Sequence, residues 1–193
     1  MGGNGSGKTT LLRVLSTILR PSLGQLHLFG QPADGRPTAV RRRLALLSHH
    51  AGLYEDLGSM ENLRILARLG GHDGQAVPDL LQRVGLDPKR ADPLRAYSAG
   101  MRKRLQLAAM LLQQPDLVLL DEPFAALDPR GCDELARILS ELNGAVVIAS
   151  HQLRRAANIC DRALLLGEGV PRWRGPAGDV ERAWAALHPD ASS

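Results

Sequence analysis

MGGNGSGKTT, residues 1–10, is the stretch whose reading decides the fold. Gly2-Gly3-Asn4-Gly5-Ser6-Gly7-Lys8-Thr9 fits G-x-x-x-x-G-K-[ST] without a mismatch. Glycines at 2, 3, 5 and 7 let the backbone take positive φ and aim successive N–H groups into one concave nest. Phosphate oxygens match those donors and the N-terminus of a following helix. Lys8 suits the β- and γ-phosphates, and the Thr9 hydroxyl suits Mg²⁺. Thr10 completes the expected nucleotide-binding stretch. Apolar residues at 11, 12, 15, 18 and 19 predict a helix over Lys8–Arg20, which Pro21 stops. The plainer alternative is a flexible Gly/Ser tail. A tail requires neither Lys-Thr directly after Gly nor an amphipathic helix after that.

At 193 residues and 44% hydrophobic, the chain has material for one substantial core, so a single domain is expected. No apolar run approaches the roughly 20 residues that a membrane span needs, and no signal peptide is visible. These features read as a soluble chain. Cys132 and Cys160 show no metal or redox spacing and read as ordinary cytosolic thiols. The net charge is +4, but only Lys8, Lys89 and Lys103 among the 24 basic residues are lysines. With aromatics at 3% there is no stacking platform for single strands, and no nucleic-acid partner is expected.

Further along, GQLHLF (24–29) alternates like a strand, and GQPADGRP (30–37) is turn-rich. LALLS (44–48) follows three arginines as a short buried strand. Residues 53–114 read as helices with breaks: one from Ser59, one over Pro78–Val84, one from Ser98 to Leu112. From Asp116 the pattern becomes strand–helix–strand, with LVLLD (117–121), a helix around 130–142, AVVIAS (145–150), a helix and ALLLG (163–167). That alternation predicts a parallel sheet covered on both faces. The expected organisation is an α/β core (1–52 and 115–168), an inserted helical subdomain (about 53–114) and a C-terminal extension (169–193). The extension, with Trp173 and Trp184, reads as a final strand and helix of no assigned function.

LVLLDEP places Asp121 and Glu122 at the carboxyl end of a buried strand, the edge where open α/β sheets form ligand sites. Asp121 suits the Mg²⁺ role that accompanies a phosphate loop. Glu122 suits orienting, or taking a proton from, an attacking water. Alternatively, Asp-Glu-Pro simply ends a strand and caps a turn.

Three further stretches resemble ATP-binding-cassette (ABC) ATPases. YSAGMRKRLQLAAMLLQQPDLVLLDEP (97–123) resembles the signature helix and magnesium-site strand, FAALDPRG (124–131) the loop that follows, and AVVIASHQL (145–153) the strand ending in the switch histidine. The resemblance runs from residue 2 to about 168. It implies a P-loop NTPase fold, ATP and Mg²⁺ as cofactors, and a head-to-tail dimer of two copies, or of this chain and a paralogous ATPase, enclosing two ATP molecules. It further implies a transmembrane transporter subunit as partner, hence a cytoplasmic location, peripheral on the inner face of the cell membrane. By the same carry-over, Ser98, Ala99 and Gly100 contact the γ-phosphate on the opposite subunit. Asp128 shapes the loop between the two sites. His151 bonds the γ-phosphate and holds the attacking water and Glu122. Each has a plainer reading: Ser98 as an N-cap, His151 as a structural histidine, Asp128 as a cap before a first-turn proline.

Departures from the family pattern qualify this reading. Strands expected before the phosphate loop, one bearing an adenine-stacking aromatic, are absent, which reads as an N-terminally truncated chain. Met101 stands for the usual Gln or Glu, and Ala99 for the central Gly. In SHHAGLYEDLGSMENL (48–63), His49, or alternatively His50, takes the place of a magnesium-contacting Gln. H-x-x-G-L with E-N-L and SHQ resembles the haem-exporter ATPase subunit of cytochrome c maturation. The expected function is therefore an ATP-hydrolysing transporter subunit, with haem as one cargo. The alternatives are a non-transport ABC ATPase of DNA-repair or translation type, and an inactive truncated nucleotide-binding fragment.

Overall fold

The computed structural model describes residues 1–33, 37–47 and 52–188. Helix α1 (Lys8–Leu15) opens directly from the glycine loop. It ends five residues earlier than its apolar spacing predicts. Ser16 N bonds Leu12 O, Thr17 turns to φ 61°, and both Ile18 N and Leu19 N close on Arg13 O. Those bonds satisfy the last carbonyls of α1 before Pro21 is reached. The alternating stretch 24–29 yields only a two-residue strand, β1 (His27–Leu28), paired antiparallel with β2 (Gln31–Pro32). Phe29 at φ 54° and Gly30 at φ 75° form the tight turn between them.

After α2 (Pro37–Arg41), β3 (Leu44–Leu47) enters the central sheet. Three helices follow: α3 (Ser59–Gly70), α4 (Val77–Arg83) and α5 (Ala99–Leu112). Their starts are written in side chains. Glu61 Oε2 accepts Gly58 N at the head of α3, Pro78 sits in the first turn of α4, and Ser98 Oγ accepts Met101 N at the head of α5. The three pack on one another through Leu63, Val77, Leu81 and Leu105, all fully buried. Each such side chain contributes about 1.5–3 kcal/mol relative to exposure.

Strand β4 (Leu117–Asp121) is buried along its whole length, as its continuous apolar run requires. It lies between β3 and β5 (Ala145–Ala149), parallel to both, with Asp121 level with Ala149. Helix α6 (Pro129–Ser140), capped by Asp128 with Pro129 at its first position, joins β4 to β5. The short α7 (Leu153–Ala157) follows. ALLLG departs from expectation: β6 (Arg162–Gly167) pairs antiparallel with β7 (Val170–Pro176), outside the three-stranded parallel sheet. Glu168 and Gly169 both take positive φ, so a tight two-residue turn of primed type joins the pair. Helix α8 (Val180–Leu187) packs back on this hairpin.

Residue 1 lies beside β6. Met1 N donates to Leu164 O (2.7 Å) and Leu166 N to Met1 O (2.9 Å), the bonding of a parallel strand. An apolar cavity of about 540 Å³ opens between β5 and β6, lined by Val146, Ile148, Ala163 and Leu164.

Candidate active site

Two strands and one helix converge at the carboxyl edge of the parallel sheet. Helix α1 packs on β4 and β5, and its first turn brings Thr9 to the end of β4. There Thr9 Oγ1 donates to Asp121 Oδ2 at 2.8 Å. Asp121 is buried, and its other oxygen, Oδ1, has no hydrogen-bond partner among the described residues. A buried anionic oxygen without a partner is costly. Hard-cation chemistry, with carboxylate and hydroxyl oxygens, suits this pair, so the residues present fit Mg²⁺.

The glycine loop 2–7 forms the floor. Gly7 enters α1 at φ 95°, a conformation that side chains rarely adopt. Lys8 is buried, with its ammonium folded back over the loop: Nζ donates to Gly2 O at 2.8 Å and Gly3 O at 2.7 Å. Ser6 Oγ is likewise buried and without a partner among the described residues. Asn4, Gly5, Thr9 and Thr10 are exposed, so the mouth of the loop is open. The β6–β7 turn supports this loop, since Gly169 N donates to Ser6 O at 3.2 Å. Sequence reasoning assigned the C-terminal stretch no role. The Glu168-Gly169 pair, a turn signal between two strand runs, was the available clue.

Glu122 follows Asp121 at φ 46°, a strained backbone for a non-glycine residue. Its amide donates to Ala149 O (2.8 Å), tying the β4 end to the β5 end. Its carboxylate meets the residues that follow β5. Oε2 lies 3.0 Å from His151 Nδ1 and 3.0 Å from Ser150 Oγ, and Oε1 accepts His151 N at 3.1 Å. Glu122 and His151, predicted 29 residues apart in sequence, are thus in contact. Ser150 is fully buried and was not singled out from the sequence.

Lys103 of α5 is buried as well. Burial pushes its ammonium pKa below the ordinary 10.5, and the charges of Asp121 and Glu122 oppose that shift.

The remaining predicted residues stand apart from the loop. Ser98 and Ala99 are exposed at the head of α5, and Gly100 is half-buried there. A side chain at Gly100 would come within 3.4 Å of Ala126 O, so the head of α5 lies against the loop after β4. Asp128 is exposed and accepts Gly131 N at 2.7 Å. The caps on Ser98 and Asp128 are made within their own helices. His49 and His50 lie outside the described residues.

The ABC transporter family model matches residues 1–125. The chain is 39% identical over 188 residues to the daunorubicin resistance ATP-binding protein DrrA3 of Streptomyces coeruleorubidus, covering 94% of this chain and 60% of that protein. It is also 39% identical over 157 residues to the cytochrome c biogenesis ATP-binding export protein CcmA 2 of Cupriavidus metallidurans, covering 79% and 74%. Among solved structures it resembles an ATP-binding subunit of an ABC transporter, with TM-score 0.83, 28% identity, and coverage of 96% of this chain and 80% of that one. Among the described residues, no helix is long and apolar enough to cross a membrane.

Proposed function

The chain belongs to the ABC transporter family, and on that premise we propose that it binds MgATP and hydrolyses it to drive a separate membrane subunit. The observation carrying this reading is the meeting of Thr9–Asp121 with Glu122–His151 at one sheet edge. The loop amides, Lys8 and the head of α1 hold the phosphates. Thr9 and Asp121 would hold Mg²⁺, which when bound would supply charge neutralisation to the phosphates. Glu122 orients the attacking water and receives its proton, and His151 fixes the Glu122 carboxylate and reaches the γ-phosphate.

Ser98, Ala99, Gly100 and Asp128 serve the opposite copy. The exposure of Ser98, Ala99 and Asp128 at the surface, with Gly100 half-buried beside them, supports that assignment. The segment 49–63 and the helices adjoining it are the docking groove for the membrane subunit, placing the ATPase on the inner face of the membrane. The chain spans 60% of the length of DrrA3, and DrrA3 and CcmA 2 match it equally well in identity. The second match supports haem export for cytochrome c biogenesis as one cargo assignment.

Sedimentation of the Glu122→Gln variant with and without MgATP, alongside steady-state turnover, tests this reading. The expected result is an ATP-dependent dimer in the variant and loss of the wild-type turnover. A wild-type chain that neither turns over ATP nor dimerises as Glu122→Gln refutes it.

A further inference from the structure

Ser150 directly follows β5 as a fully buried hydroxyl between two partners. Its Oγ accepts Gln152 N at 3.0 Å and lies 3.0 Å from Glu122 Oε2. The backbone amide fixes the hydroxyl oxygen as acceptor, so its hydrogen is directed at the carboxylate. The four donor contacts on the carboxylate are unequally shared. Oε2 takes Ser150 Oγ and His151 Nδ1, each at 3.0 Å, with His151 N more distant at 3.4 Å. Among the described residues, Oε1 takes His151 N alone, at 3.1 Å. His151 Nδ1 and the Glu122 side chain are partly open to solvent, whereas Ser150 is not.

We propose that Ser150 is a positioning residue for Glu122. It holds Oε2 so that the remaining lone pair of Oε1 is the one presented to water. The imidazole contact can be released when His151 turns to a phosphate, and the buried hydroxyl then keeps the carboxylate in place. This proposal rests on the hydrolytic reading of the site. Its consequence is that loss of the hydroxyl disorders the base without touching nucleotide binding, a misplacement that costs about 10- to 100-fold in rate.

The test compares wild type, Ser150→Ala, Ser150→Thr, Glu122→Gln and the double variant, with kcat, KM for MgATP and melting temperature measured for each. The expected result is that Ser150→Ala lowers kcat by about 10- to 100-fold with KM unchanged. Ser150→Thr, which keeps the hydroxyl, regains most of that loss. In the Glu122→Gln background, Ser150→Ala has no further effect on residual turnover. The proposal is overturned if Ser150→Ala keeps wild-type kcat. It is also overturned if kcat falls equally with and without the Glu122 carboxylate, since the serine then acts on the fold alone. Absence of wild-type turnover, or a Glu122→Gln variant as active as wild type, removes the hydrolytic reading and the proposal together.

Discussion

Thr9 Oγ1 donates to Asp121 Oδ2 across 112 residues of sequence, while Asp121 Oδ1 stays buried and unpartnered among the described residues. The pair offers carboxylate and hydroxyl oxygens of the kind Mg²⁺ takes. Asp121→Asn is therefore expected to lower MgATP turnover by about 100-fold or more, the scale on which removing one preorganised electrostatic partner acts. Calorimetry with ATP in Mg²⁺ and in EDTA checks the cause. Chelation should weaken binding to wild type and have little effect on the variant.

Lys8 Nζ is held by Gly2 O and Gly3 O, so its charge is fixed over the loop proposed to take the phosphates. Lys8→Ala removes a charge-assisted contact worth about 1.5–3 kcal/mol. The expected effect is a rise in the Kd for ATP of roughly 10- to 100-fold, read by fluorescent-nucleotide titration. An unchanged Kd sinks the role of Lys8 in binding.

Much of this site was legible in the sequence because its parts are local. G-x-x-x-x-G-K-T needs only its own backbone and the helix it starts. LVLLD reads as a buried strand whose end carries the two carboxylates. Ser98 and Asp128 are found as caps because each bonds an amide three residues on. What escaped reading depends on distant partners. Ser150 looks like any serine until β5 is set beside β4, which places it against Glu122. ALLLG has the composition of a parallel core strand. Its antiparallel pairing is decided by the Glu168-Gly169 turn. Helix α1 stops at Leu15, short of Arg20, because the hydrogen bonds have already closed on Arg13 while Ile18 and Leu19 keep helical spacing.

Gly7 stands at φ 95°, and a Cβ there would lie 3.3 Å from Gly169 Cα. Both the backbone and the contact with the β6–β7 turn disfavour a side chain. Gly7→Ala is expected to destabilise by about 1–3 kcal/mol and to lower the melting temperature. Gly178 has open space around it, so Gly178→Ala is the control, expected within about 0.5 kcal/mol of wild type. Equal melting of the two variants contradicts the argument.

Lys103 presents the last prediction as a contest between burial and charge. Its ammonium is buried on α5, and burial outweighs the attraction of Asp121 and Glu122, so its pKa lies below 10.5 in the folded chain. The unfolded chain then binds more protons between the folded pKa and 10.5, and stability rises with pH across that window. Below the window the full penalty of the buried charge is present. Lys103→Met keeps the volume and removes the charge, so it is expected to be more stable near neutral pH, by about 1 kcal/mol. The advantage should narrow as pH climbs through the folded pKa and close above 10.5, where the wild-type lysine is neutral in both states. Urea unfolding of both chains at neutral pH and at several alkaline values measures the gap. A methionine variant that is less stable at neutral pH, with a deficit that shrinks on raising the pH, reverses the sign. Pairing with the two carboxylates would then outweigh burial, and Lys103 would belong to the charge balance of the active site.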